Sequence, residues 1–115
     1  MKNPKTRIAV YGSLKRGFAN SDLLKKEKFC GKTKTKNAEY DLLNLIHFPA
    51  AIKNGNKKIA VEVYEVNDLT LTRLDVLESN GTFYNRELVG LENGQEAFIY
   101  FLIDEELIKN GQELT

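Results

Sequence analysis

The sequence has 115 residues, of which 42% are hydrophobic and 29% charged; this composition excludes a globally disordered chain and predicts a single domain over residues 1–115. Its formal net charge of +1 excludes a strong overall attraction to nucleic acid or to anionic membranes. No apolar stretch is long enough to cross a bilayer and residues 1–10 carry no signal-peptide core, so we expect a cytoplasmic protein that does not associate with membranes.

The sequence has too few cysteines and histidines for a disulfide or a typical metal site. Cys30 is the single cysteine, so an intrachain disulfide is excluded, which fits a reducing cytoplasm. His47 is the single histidine. With one thiol and one imidazole, we expect no zinc or iron site.

The first half of the chain has the pattern of strands with one short helix. Ser21 or Asp22 is placed to cap a helix over residues 21–26. Short apolar or alternating runs, separated by turn residues, predict strands over residues 7–11, 29–45, 48–52 and 59–66.

In the second half the hydrophobic period changes from two residues to three or four. Asn67 or Asp68 is placed to cap a helix whose leucines recur at three-residue spacing until residues 79–81 end it. An Asn-Gly turn between residues 84–91 and residues 95–103 predicts a hairpin.

The closing residues 104–115 are charged and have few apolar side chains to hold them. The order of strand, helix, several strands, helix and hairpin predicts an α+β fold. We expect a mixed, mostly antiparallel β-barrel flanked by short helices.

The first candidate site lies where the predicted first strand ends. The backbone N–H groups of Gly12 and Ser13, unpaired after a buried strand, form a nest that can bind a carboxylate or a developing oxyanion. The alternative is an ordinary turn, in which Gly12 supplies an unusual φ and Ser13 caps the next element.

The second candidate is Glu78, at the end of the predicted helix and beside Leu74 and Leu77. Burial at the border of the apolar stripe would raise the pKa of this carboxyl towards the range of a general acid or base. A glutamate at a helix C-terminus opposes the macrodipole, which favours a functional reason for its presence. The alternative is an exposed glutamate in the last turn.

The third candidate is the pair Tyr84 and Arg86 at the start of the following strand. A tyrosine hydroxyl or an arginine fork at this place could orient an amino-acid substrate. The alternative is a half-buried aromatic beside a solvated arginine.

A run of lysines between residues 25 and 36 is the fourth feature. It could form a basic face for nucleic acid, but its alternation with Thr33 and Thr35 favours the charged edge of a sheet. No aromatic residues are interleaved to stack on bases. The lysines are Lys25, Lys26, Lys28, Lys32, Lys34 and Lys36.

Four segments, taken together and in order, resemble the γ-glutamylcyclotransferase-like family. The resemblance covers residues 8–101. Within the family, the chain is similar to the small bacterial type and to γ-glutamylamine cyclotransferases. The segments are Y-G-S-L-K-R-G-F-A-N at residues 11–20, F-P-A at 48–50, V-E-V-Y-E-V at 61–66 and L-D-V-L-E-S-N-G-T-F-Y-N-R-E-L-V at 74–89.

The resemblance implies a β-barrel with a cavity in which Glu78 is the catalytic general acid and base. It implies that the backbone of Tyr11, Gly12, Ser13 and Leu14 binds the α-carboxylate and α-amine end of a γ-glutamyl group, and that Tyr84 lines the pocket. The implied reaction converts a γ-glutamyl amine or γ-glutamyl amino acid into 5-oxoproline and a free amine. No cofactor is required, and we expect a monomer or homodimer.

Two other classes of function remain open at this point. One is a non-catalytic module that binds small γ-glutamyl compounds or 5-oxoproline in the same cleft without turnover. The other is a nucleic-acid-associated protein that uses the lysine run, which the near-zero net charge disfavours.

Overall fold

The chain folds as an α+β protein, as the order of strand and helix patterns predicts. A computed structural model describes residues 5–11, 24, 27–44, 49–77, 81, 83–110 and 112–113. Within these residues the elements are β1 (Thr6–Val10), β2 (Lys28–Lys34), β3 (Tyr40–Asn44), β4 (Pro49–Lys53), β5 (Ala60–Val66), α1 (Asp68–Leu77), β6 (Tyr84–Gly90), β7 (Glu96–Leu102), α2 (Glu105–Asn110) and β8 (Gln112–Glu113).

Five strands form the larger sheet, in the order β2-β5-β1-β7-β6. Neighbouring strands run antiparallel except β1 and β7, which are parallel. The predicted hairpin is confirmed as β6 and β7, and Gly94 in its turn has φ 86°, a conformation that glycine adopts without strain. The first strand of the chain therefore lies at the centre of the sheet, with Tyr11 directly after its end.

The barrel that the sequence and the resemblance predict is wrong, because the larger sheet is not closed. Its edge strands are β2 and β6, and they approach at one end through a bridge between Thr35 and Leu91. A barrel requires the first and last strands to pair along their length. The remaining strands instead form a separate sheet in the order β4-β3-β8, so the described chain has two sheets.

Apolar cores lie on both faces of the larger sheet, because successive side chains of a strand point to opposite faces. In β7, Tyr100 and Leu102 belong to the core that contains Leu74 of α1, here named the helix-side core. Ile99 and Phe101 belong to the opposite core, here named the sheet-side core. The sheet-side core also contains Ala9, Tyr40, Ala51, Ile59, Val61, Val63, Val89, Leu91 and Ala97.

Both helices begin at a side-chain cap. The amide N–H of Thr70 donates to Asn67 Oδ1 at 2.8 Å, so Asn67 is the N-cap of α1, one of the two residues predicted for this role. The amide N–H of Leu107 donates to Asp104 Oδ1 at 3.0 Å and caps α2 in the same way. The sequence pattern predicts neither α2 nor β8, because so short a segment has too few apolar residues to show a period.

The helix predicted over residues 21–26 lies outside the described residues, except for Leu24. Leu24 is buried in the helix-side core. Within the described part of the chain, no helix has the length and apolar character that a membrane span requires.

Candidate active site

The resemblance implies six site residues, of which the structure describes two. Tyr11 follows β1 directly, and Tyr84 is the first residue of β6. The other four predicted residues, Gly12, Ser13, Leu14 and Glu78, lie outside the described residues.

The hydroxyl of Tyr11 joins three strands. It donates a hydrogen bond to the backbone carbonyl of Tyr100 in β7 at 2.6 Å. It also accepts one from the amide N–H of Ala51 in β4 at 3.0 Å. The residue that precedes Gly12 is therefore anchored through its side chain.

Tyr84 is buried, with 8% of its surface exposed, and belongs to the helix-side core with Leu74 and Tyr100. It pairs with Leu102 across the hairpin, and its carbonyl accepts a hydrogen bond from the amide N–H of Gly81 at 2.7 Å. The structure thus places this aromatic beside α1. Its contact with a substrate stays a prediction.

A carboxylate in the last turn of α1 connects the helix to the hairpin. Asp75 Oδ1 accepts a hydrogen bond from the hydroxyl of Tyr100 at 2.5 Å. Arg86 donates to the same carboxylate through Nε at 3.0 Å to Oδ1 and through Nη2 at 3.2 Å to Oδ2. The guanidinium also lies over the ring of Phe98, 4.8 Å from its centroid, an arrangement typical of cation–π contact.

This contact changes the expected role of Arg86. Its fork binds Asp75 in a bidentate geometry, so Arg86 orients a carboxylate of the protein itself. Neither Asp75 nor Tyr100 is a site residue predicted from the sequence. The available signal was spacing, because Asp75 stands three residues before Glu78 and Arg86 stands two after Tyr84.

Glu62 is an acidic residue inside the sheet that the sequence analysis also missed. Only 5% of its surface is exposed, and its Oε1 accepts a hydrogen bond from the hydroxyl of Tyr64 at 3.4 Å. It pairs with Val10, the last residue of β1. The signal in the sequence was a glutamate between Val61 and Val63 in a predicted strand. Carboxylates are seldom buried without a partner, so a glutamate at such a position indicates a specific contact.

Two apolar side chains close to Glu78 in the sequence are partly exposed. Leu77, the last residue of α1, and Phe83, in the turn before β6, are 42% and 43% exposed. Tyr84, the next residue, is buried.

Three described lysines of the run lie where the charged-edge interpretation predicts, whereas Lys25 and Lys26 lie outside the described residues. Lys28, Lys32 and Lys34 lie on β2, an edge strand of the larger sheet. Lys28 pairs with Glu65 of the neighbouring strand at 3.6 Å. Charged side chains on an edge strand disfavour its pairing with a strand of another chain, so this position accounts for the three lysines.

Cys30 also lies on this strand, and burial raises the pKa of its thiol. A raised pKa disfavours the reactive thiolate. Among the described residues, no group of three or more His, Cys, Asp or Glu side chains is arranged to hold a metal ion. His47 lies outside the described residues.

The fold agrees with what the comparisons show. The sequence matches the family model described as gamma-glutamyl cyclotransferase, AIG2-like, over residues 8–114. The chain belongs to this family. The resemblance inferred from the motifs is thereby confirmed over almost the whole sequence.

Several relatives carry the family's name. A Methanocaldococcus jannaschii protein named "Putative gamma-glutamylcyclotransferase" is 42% identical over 100 residues, which cover 82% of each chain. The gamma-glutamylcyclotransferase family protein YtfP of Escherichia coli is 36% identical over 94 residues, which cover 82% of this chain and 80% of YtfP. These names indicate gamma-glutamylcyclotransferase activity among relatives of this chain.

Solved structures show the same architecture. The solution NMR structure of E. coli YtfP matches with a TM-score of 0.71 and 32% identity, covering 95% of this chain and 91% of YtfP. The crystal structure of a mouse AIG2-like protein matches with a TM-score of 0.78 and 23% identity, covering 92% of this chain and 84% of the mouse protein. The mouse protein is evidence for the fold alone.

Proposed function

We propose that this protein is a cyclotransferase that converts a γ-glutamyl amine or γ-glutamyl amino acid into 5-oxoproline and a free amine. The observation that carries the proposal is that the family match spans both motifs, Tyr11–Leu14 and Leu74–Glu78 with Tyr84–Arg86 after it. The hydrogen bonds of Tyr100 to Tyr11 and to Asp75 support it, because they link the described ends of the two motifs.

The reaction itself requires little beyond positioning and proton transfer. The α-amine of the substrate attacks its own γ-carbonyl carbon and closes a five-membered ring, so the encounter is intramolecular. An α-amine has a pKa of about 8 and is mostly protonated at neutral pH, so a base must remove its proton before attack.

Glu78 is the proposed base. Its carboxylate takes the proton from the α-amine, the new C–N bond forms, and the γ-carbonyl oxygen becomes an oxyanion. The proton then passes from Glu78 to the nitrogen of the departing amine as the original amide C–N bond breaks. The freed carboxylate takes the second proton from the ring nitrogen and passes it to the released amine, which leaves as an ammonium ion. A carboxyl group does both steps best when apolar surroundings raise its pKa towards neutrality.

The proposed role of the loop is electrostatic. The backbone N–H groups of Gly12, Ser13 and Leu14 would bind the α-carboxylate or the oxyanion that forms during attack. Tyr11 supplies the loop with a fixed starting point through its hydrogen bonds to Tyr100 and Ala51. Tyr84 would line the pocket on the side of the hairpin.

The test is 5-oxoproline release from a panel of γ-glutamyl amino acids, γ-glutamyl-ε-lysine and γ-glutamyl amines. We expect Glu78→Gln to lower turnover by about 10² to 10⁴, the range that general acid–base catalysis contributes. Glu96→Gln, which changes an exposed glutamate on β7, is the matched control and is expected to keep the wild-type rate.

Retained turnover in Glu78→Gln would contradict the role of this residue. A wild-type protein that is silent on the whole panel, but is stabilised against heat by 5-oxoproline, would favour the non-catalytic binding module. The melting temperature of each variant shows whether a loss of rate reflects a loss of folding.

A further inference from the structure

We infer that Tyr100 is a positioning residue, which links Tyr11, the residue before the proposed binding segment, to Asp75, which precedes the proposed base Glu78 by three residues. This inference rests on the proposed function. It concerns three residues outside the six that the resemblance assigns to the site: Tyr100, Asp75 and Arg86.

The side chain of Tyr100 binds the C-terminal end of α1. Its hydroxyl donates to Asp75 Oδ1 at 2.5 Å, a charge-assisted hydrogen bond between a tyrosine that is 3% exposed and a carboxylate that is 26% exposed. Asp75 lies in the last turn of α1, three residues before Glu78. Arg86 of β6 grips the same carboxylate from the hairpin. The chain therefore enters the segment at Glu78 from a point fixed to both β6 and β7.

The backbone of Tyr100 binds Tyr11, the residue before the proposed binding segment. Its carbonyl accepts the hydrogen bond from the hydroxyl of Tyr11 at 2.6 Å. Tyr11 immediately precedes Gly12, and its hydroxyl is held on the other side by the amide N–H of Ala51 at 3.0 Å. One residue of β7 thus holds the start of the binding loop through its main chain and the end of α1 through its side chain.

Packing alone does not require this hydroxyl. Phe101, the next residue of the same strand, packs on the opposite face by stacking on Tyr40 at 5.1 Å between ring centroids. A phenylalanine at position 100 would fill nearly the same volume and would lose the hydrogen bond to Asp75. The need for a hydroxyl is explained if the distance between the two motifs matters, because misplacement of a catalytic group by about 1 Å can lower a rate 10²-fold.

Mutations can remove the two contacts of Tyr100, to Asp75 and to Tyr11, one at a time. Tyr100→Phe removes the hydroxyl that binds Asp75 and keeps the carbonyl that binds Tyr11. Tyr11→Phe removes the anchor of the loop and keeps the bond between Tyr100 and Asp75. Displacement of Glu78 acts on the chemical step, whereas a loosened loop acts on binding, so the variants are expected to change different kinetic constants.

The experiment is steady-state kinetics of 5-oxoproline release for the wild type, Tyr100→Phe, Tyr11→Phe and the control Tyr40→Phe. We expect Tyr100→Phe to lower kcat about 10- to 100-fold and to change KM by less than about threefold. We expect Tyr11→Phe to raise KM about tenfold with a smaller change in kcat. Tyr40→Phe removes a hydroxyl from the sheet-side core and is expected to leave both constants unchanged.

The outcomes distinguish the two proposals. An inactive wild type overturns the proposed function and the positioning role with it. An active wild type in which Tyr100→Phe matches Tyr40→Phe, or in which both site variants change kcat and KM alike, overturns the positioning role alone. Asp75→Asn weakens the same link from the helix, and it replaces Tyr100→Phe in the test if that variant fails to fold.

Discussion

On one face of the larger sheet Phe101 stacks on Tyr40 within an apolar core, whereas on the other face its neighbour Tyr100 donates a hydrogen bond to a carboxylate. The two residues are adjacent in β7 and both are nearly inaccessible to water. The sheet-side core is held by apolar contact. The helix-side core contains ordered polar groups that connect α1, β6 and β7. In β7, therefore, the side chain that faces the sheet-side core fills an apolar core, whereas its neighbour on the other face orders a polar network.

The largest effect on stability is expected in the sheet-side core. Phe101→Ala leaves a cavity under Tyr40 and should lower the free energy of unfolding by about 3 to 5 kcal/mol. Urea-induced unfolding measures the loss. At a temperature where the variant is folded, its kcat should fall less than that of Tyr100→Phe, and a larger fall would break the division between the two faces.

A smaller loss is expected from the polar network. Arg86→Met keeps much of the packing on Phe98 but removes both guanidinium donors from Asp75, whose side chain is 26% exposed. We expect a loss of about 1 to 2 kcal/mol in unfolding free energy, at the lower end of the range for hydrogen bonds to charged groups.

Lys53→Met is the control for Arg86→Met. It removes the cation of an ion pair with Glu87 at 2.8 Å, but the lysine side chain is 49% exposed. Solvent screening limits such a pair to less than about 1 kcal/mol. Equal losses in the two variants would show that the network of Asp75 adds no more than a surface ion pair does.

The smallest effect is a dependence on alkaline pH. Burial raises the pKa of the Tyr40 hydroxyl above its usual value of 10.0, with smaller contributions from nearby charges. The unfolded chain then loses this proton at lower pH than the folded chain, so the free energy of unfolding should fall as the pH rises above about 10. Below that range Tyr40 is neutral in both states and its contribution is constant.

Unfolding at pH 8, 10 and 11 with Tyr40→Phe as the comparison isolates this contribution from the other groups that titrate there. The variant should lose stability less steeply with pH than the wild type. Parallel slopes would mean that the hydroxyl of Tyr40 reaches water in the folded protein.

Local signals in the sequence were sufficient for most of the fold. The hairpin follows from an Asn-Gly turn between alternating strands, and α1 follows from a cap at Asn67 with leucines in register. The helix α2 has six residues and β8 has two, lengths at which no hydrophobic period can be recognised. Whether a sheet closes depends on how its edge strands meet, which is a tertiary property, and the barrel expectation was wrong for that reason.

The motifs of the candidate site could be predicted from the sequence, but the hydrogen bonds between residues of different elements could not. The sequence places Asp75 in a helix and Arg86 in a strand, and a pattern within either element gives no information about their contact. Tyr100 stands in a run of apolar strand residues, where only the three-dimensional structure distinguishes it from Phe101. The roles of Gly12, Ser13, Leu14 and Glu78 stay predictions.

The parallel pairing of β1 with β7 has a consequence for folding. The first strand forms one of its ladders with β5 and the other with β7, some ninety positions later in the chain, so contacts of high sequence separation dominate the centre of the sheet. Such contacts slow folding, because a long loop must close before they form. A nascent chain that ends at β5 can pair β1 on one side only. Tyr11 therefore gains its partner in β7 last, and catalytic competence should arise in the same late step that completes the sheet.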